Sequence, residues 1–216
     1  MKYYLFFAIV FLPLLFACSK TGNTLVFEGN VVLKNTNRSA TGITLLLKGK
    51  VVDNNSYGRI MTLAEQAAED DGKYRIEIDN VRASEFTLTV SKAHFFSVTQ
   101  KISGTAVEPG KPYYQNFNLY PKAYVSVHLR NYYEPRKPED VITITVQHNS
   151  PECDACCQEA QTQLKGADVD TVLLCPVYGN QTVQLRWEVN KNGEITNHSH
   201  DLNCGENDTT SYSIDY

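Results

Sequence analysis

The sequence is poor in the residues and motifs that announce chemistry. It has two methionines and one tryptophan in 216 residues, and its 20 Lys and Arg are outnumbered by 24 Asp and Glu. A net charge of −4 offers no basic face to a phosphate backbone, which argues against a nucleic-acid partner. After Phe16 no apolar run approaches the roughly 18 residues that a second membrane span would need. No Gly-x-Ser-x-Gly elbow, phosphate-cradling glycine loop or His-x-x-Glu zinc pair is present. A calcium loop starting at Asp53 fails because Ala64 stands where a bidentate glutamate is required. These absences predict a non-enzymatic protein without a cofactor.

What is present begins at the N-terminus. Lys2 precedes an apolar run from Tyr3 to Phe16, followed by the small residue Ala17 and by Cys18. A charged start, an apolar core and a small residue before the cut describe a secretory signal. The run of about 14 residues, interrupted by Pro13, is shorter than the roughly 17–25 that span a bilayer, which disfavours an uncleaved anchor. With cysteine directly after Ala17, the stretch Leu15-Phe16-Ala17-Cys18 resembles the bacterial lipoprotein signal, although Phe16 is bulkier than that pattern usually carries. The resemblance implies a signal peptide over 1–17, a fatty-acylated Cys18 as the new N-terminus and a short polar tether over 18–24. Acyl chains would then hold the protein at a bilayer surface. Ser19 in second place implies the outer membrane, and the missing acidic cluster after Cys18 a periplasm-facing position.

Removal of residues 1–17 leaves 19 basic against 24 acidic residues. The body is rich in Tyr, Val, Thr and Ile, which favour pleated, half-buried surfaces. Apolar residues alternate with polar ones at Leu25–Leu33, Ile43–Leu47, Tyr74–Ile78 and Phe86–Val90. Strict alternation marks strands with one wet face. Turn residues punctuate them at Asn35-Thr36-Asn37, Asp53-Asn54-Asn55-Ser56 and Glu69-Asp70-Asp71-Gly72. Met61–Glu69 contains helix formers, yet its place between strands predicts a strand leading into the Asp71-Gly72 turn. A further strand is expected over Tyr114–Leu119, ending at Tyr120-Pro121. A second unit comes next, with alternation at Ala123–Leu129, Ile142–Val146, Val183–Val189 and Tyr212–Tyr216, and a hairpin signal at Asn192-Gly193. The pattern predicts an all-β protein of two tandem antiparallel sandwiches, over 25–121 and 122–216.

Gly29-x-Val31, Asp71-Gly72-Lys73-Tyr74-Arg75-Ile76, Phe86–Ser91 and Phe95-Phe96 resemble the prealbumin-like, carboxypeptidase-regulatory-like sandwich. The chain departs from that pattern at Val81–Glu85, where the family usually has a glycine. The resemblance implies a seven-stranded module in the first half. The second half, with a strand-borne Trp187 and cysteines on flanking segments, resembles an immunoglobulin-like sandwich and the C-terminal part of small exported Bacteroidetes-type lipoproteins.

Five of the six cysteines lie in the second half: Cys153, Cys156, Cys157, Cys175 and Cys204. In an exported protein their default is disulfides, with one left over. Cys175 and Cys204 could bridge two strands, with a second bridge within or onto the 153–157 cluster; two pairs can be chosen from the five in fifteen ways. Zinc at Cys153, Cys156, Cys157 and His198, or a redox pair, is the competing use of the same cluster. His198 and His200, in the polar run Asn197–Asp201, are expected in a solvated loop. Exposed Tyr113, Tyr114, Tyr132 and Tyr133 suggest a third reading, a glycan-binding accessory protein. The leading expectation is a lipid-anchored envelope protein that binds or scaffolds an envelope protein or glycan.

Overall fold

The computed structural model describes residues 23–53, 56–150, 153–157 and 161–216. The expected signal, the Cys18 lipidation site and the tether up to Gly22 lie outside the described residues, as do Asn54 and Asn55 of the expected turn.

The chain is all-β and forms two sandwiches, each with its own core. In the first, β1 (Thr24–Leu33), β4 (Lys73–Asp79), β7 (Pro112–Tyr114) and β8 (Phe117–Leu119) make one sheet. β2 (Thr44–Asp53), β3 (Ser56–Ala67), β5 (Ala83–Ser91) and β6 (Val98–Ser103) make the other, in the order β3-β2-β5-β6. Period-two alternation drives the enclosure. Phe27, Leu45, Leu47, Ile76, Phe86 and Leu88 meet between the sheets, with the Phe27 and Phe86 rings edge to face at 5.2 Å. The helix formers of 61–67 belong to β3, because pairing with β2 from Thr44↔Ala67 to Asp53↔Ser56 overrides local propensity. The expected single strand over Tyr114–Leu119 is instead β7 and β8, parallel to β1 and broken at Gln115-Asn116.

In the second sandwich, β11 (Thr162–Lys165), β10 (Val141–Gln147), β13 (Gln181–Lys191) and β14 (Glu194–Cys204) form a four-stranded sheet in that order. The facing sheet has three strands, β12 (Asp170–Tyr178), β9 (Lys122–Arg130) and β15 (Thr209–Asp215). Val125, Val127, Leu129, Ile142, Ile144, Val183 and Leu185 fill the space between them. β13 and β14 are joined by Asn192 (φ 55°) and Gly193 (φ 82°), the left-handed pair of a two-residue hairpin turn. The sandwiches are largely antiparallel, but β15 runs parallel to β9.

The halves touch around Pro121. Tyr120 and Tyr178 stack at 4.0 Å, and Phe96 lies 5.6 Å from the Tyr178 ring. Arg38 Nε donates to Glu206 at 2.5 Å, and Asn180 Nδ2 donates to the Asn35 carbonyl at 2.6 Å.

Candidate binding groove

Trp187 sits on the inward side of β13 with Val183, Leu185 and Val189. Cross-strand pairing sets His198 opposite Trp187 and His200 opposite Leu185 on β14. Both histidines therefore belong to an edge strand facing the sandwich interior, not to a loop. Residues 194–201 of β14 are nevertheless exposed, while Leu202 and Cys204 at its other end are buried. Three strands cannot cover four, so the early half of β14 projects beyond the opposite sheet.

That overhang leaves a groove of about 550 Å³ between the β13–β14 hairpin and β15. Its aromatic end is a ring cluster: Trp187 stacks on His198 at 5.3 Å, His200 on Tyr212 at 4.3 Å, and Trp187 and Tyr212 lie 6.0 Å apart. At the far end, the loop after β9 brings Tyr133 and Glu134 to the mouth.

A polar latch fixes that mouth. Lys191 Nζ donates to Asn131 Oδ1 at 2.7 Å, to the Tyr216 carbonyl at 3.1 Å and to the Tyr133 carbonyl. Asn131 Nδ2 donates to Asp140 Oδ2 and to the Gly166 carbonyl, both at 3.0 Å. Burial opposes ionisation of Asp140, but the Lys137 amide, Asn131 and the charge of Lys191 outweigh it, and the carboxyl sits below its ordinary range. The Tyr216 phenol is pushed up to about 12, by burial first and by the Asp140 charge second. Asp215 is forked by Arg130 with two 3.0 Å bonds, which hold its carboxyl low. The Arg130 guanidinium also lies 4.4 Å from the Tyr132 ring centre.

The cysteines lie elsewhere. Cys153 bonds Cys156 and Cys157 bonds Cys175, each with Cα atoms 5.3 Å apart. Cys204 is a buried free thiol, so a Cys175–Cys204 bridge does not form. The reason is local: the Cys157 N–H donates to the Pro176 carbonyl and brings its sulfur to the neighbouring Cys175. Cys153 and Cys156 pack with Phe96, Tyr120 and Tyr178 at the contact between the halves. His198 stacks on Trp187 instead, and among the described residues no three His, Cys, Asp or Glu gather as a metal site.

The four tyrosines singled out from the sequence do not share a platform. Tyr113 packs on Phe27 at 6.2 Å and Tyr114 is 70% exposed, both in the first sandwich. Tyr132 and Tyr133 meet edge to face in the second, and Tyr133 lines the groove. Sequence reading missed the Trp187, His198, His200 and Tyr212 cluster. Its signal was the Asn192-Gly193 turn, because a long β13 calls for an equally long partner strand.

No protein-family model and no curated protein matches this sequence. Among solved structures, similarity is found to the TIE protein of Bacillus anthracis, at 9% identity and a TM-score of 0.34, over 89% of this chain and 34% of that one. The shaft pilin SpaA from Lactobacillus rhamnosus GG is 8% identical with a TM-score of 0.31, over 89% of this chain and 98% of its own. BcpA, the major pilin subunit of Bacillus cereus, is 9% identical with a TM-score of 0.32, over 84% and 69%. This chain thus spans about a third of the TIE protein.

Proposed function

We propose that the chain is a lipid-anchored cell-envelope protein that binds a partner without catalysing a reaction, and that 25–121 and 122–216 are its two folding units. The groove carries this reading: it combines exposed rings with a mouth held by partly buried polar bonds, the mix of apolar wall and few fixed polar groups that suits binding. The perturbed groups nearby serve the latch, and none forms a nucleophile and base pair. The pairing of four cysteines fits an oxidising compartment. Anchoring rests on the sequence from Lys2 to Cys18, and an outer-membrane, periplasm-facing position on Ser19 and the absence of an acidic cluster after Cys18.

Mass spectrometry of the protein purified from membranes tests the anchor. A first residue Cys18 carrying acyl chains is expected, with loss of membrane association in Cys18→Ala. An intact Met1 or an unmodified Cys18 overturns it. Protease treatment of intact cells tests the orientation, since a periplasm-facing protein survives until the outer membrane is breached. Stoichiometric zinc in the purified body, or three or more free thiols, would favour the competing thiol- or metal-dependent reading.

A further inference from the structure

The two sides of the groove present different things. From β15 every residue from Tyr212 on reaches it, and Tyr216 comes after them. From β14 only the alternate residues Glu194, Thr196 and His198 do. Consecutive residues mean a strand seen along its backbone edge, and alternate residues a strand seen by one face. The backbone bonds agree. The Tyr124 N–H donates to the Asp208 carbonyl and the Tyr216 N–H to the Arg130 carbonyl. Even-numbered residues of β15 therefore bond β9, and Ser211, Ser213 and Asp215 turn their peptide groups toward the open side. No described strand pairs with that side. An unpaired edge beside an uncovered sheet face is the place where a fourth strand would complete the smaller sheet.

We propose that the groove takes an extended peptide of a partner protein, which adds as a strand to the free edge of β15 and lays alternate side chains on Trp187, Val189 and Thr196. The proposal rests on the reading of the chain as a binding module and names the class of its partner. A lone strand fits better than a second copy. Two-fold pairing of β15 with its copy would carry a whole second sandwich to the side where β14 of each copy already projects. Charge adds a preference. Arg136 engages Glu134, Arg130 engages Asp215, and the Lys191 ammonium is taken up by Asn131 and two carbonyls. Glu194 stands at the hairpin end of the groove, where a Lys or Arg of the peptide would meet it. The partner segment thus alternates apolar or β-branched residues with polar ones and carries a basic residue at one end.

The sole tryptophan lines the groove, so its fluorescence reports occupancy. The probes are synthetic heptapeptides alternating valine and threonine with a lysine at one end or the other, titrated into the full chain, with amide exchange followed by NMR. Expected are a Trp187 fluorescence change and slowing of the Ser211, Ser213 and Asp215 amides by about tenfold or more, with no slowing along the outer edge of β14. Ser213→Pro removes an N–H that β9 does not use, a substitution an edge strand tolerates, and should weaken binding by about tenfold or more with the Tm kept. Should the proline disturb the strand, Thr196→Lys fills the groove floor from an exposed position and should weaken binding to the same extent. Protection confined to another edge, or binding indifferent to both variants, overturns strand addition. Oligosaccharide binding at Trp187 without slowing of the three amides also overturns it, while leaving the binding-module reading in place. No response of Trp187 to any peptide or oligosaccharide overturns both.

Discussion

Substituting Gly29 by alanine tests how the first sandwich is closed. Gly29 lies where β1 passes from β7 to β8, opposite the Gln115-Asn116 break. A Cβ there would come 1.8 Å from the Gln115 carbonyl oxygen and 2.7 Å from its carbon, where ordinary contact begins at 3.4 Å. Both atoms are backbone, so no rotamer change relieves the overlap, and the chain at Gln115 must recede by roughly 1.5 Å. Two bonds go with it. The Gln115 N–H donates to the Glu28 carbonyl at 2.8 Å, and the Tyr74 phenol donates to the Gln115 carbonyl at 2.6 Å. Tyr74 is 3% exposed, so no water replaces the lost acceptor. Overpacking costs about 1–3 kcal/mol and an unsatisfied buried donor about 1–3 more, giving about 2–6 kcal/mol. For a body of this size each kcal/mol lowers Tm by about 4–8 °C, so Gly29→Ala should lower the first sandwich's transition by about 10 °C or more in scanning calorimetry of the full chain. Tyr74→Phe alone should cost about 1 kcal/mol. In the double variant the two losses should add to less than their sum, because both act through one carbonyl. A shift under about 2 °C for Gly29→Ala, or full additivity, would refute the reasoning.

The groove mouth offers further tests. Asp140→Ala should destabilise the second sandwich by about 2–4 kcal/mol in urea unfolding, since it strands the Lys137 amide and Asn131. Because the native Asp140 carboxyl is held low, its stabilisation is complete above the unfolded-state pKa and is lost as pH falls through the native one. Tm of the wild type should therefore drop below about pH 4, and that limb should be shallower in Asp140→Ala. Tyr216 shifts the other way. Its raised pKa gives stabilisation that is full below about pH 10 and lost as pH rises toward 12, so Tyr216→Phe should flatten the alkaline fall in Tm. Burial pushes the Cys204 thiol up, so it should resist alkylation in the native protein and react once in denaturant, as peptide mapping would show.

The fold was legible wherever a strand has one buried face. Leu45 and Leu47, Tyr74 and Ile76, and Val125 and Val127 alternate because the core demands it. β14 escaped the same reading: residues 194–201 are exposed on both faces, so Asn197–Asp201 shows only polarity. What makes this segment a strand is its eleven-residue pairing with β13, a long-range bond pattern that composition does not carry. The groove was illegible for a related reason, since it arises from a mismatch between four strands and three. Disulfide partners were equally hidden, because a backbone bond from Cys157 to Pro176 selects Cys175.

β1 and β9 give the molecule a length as well as a core. Thr24 begins β1 at the Asp79 end of its sheet, and Leu33 finishes beside Leu119, just short of Pro121. β9 starts directly beyond that proline at Lys122 and reaches Arg130 beside Asp215. At about 3.3 Å per residue, these 10- and 9-residue strands are each about 30 Å long. A molecule moored through its leading residues, as proposed, would carry its groove on the other sandwich, at the end of β9 that lies farther along the chain from the anchor.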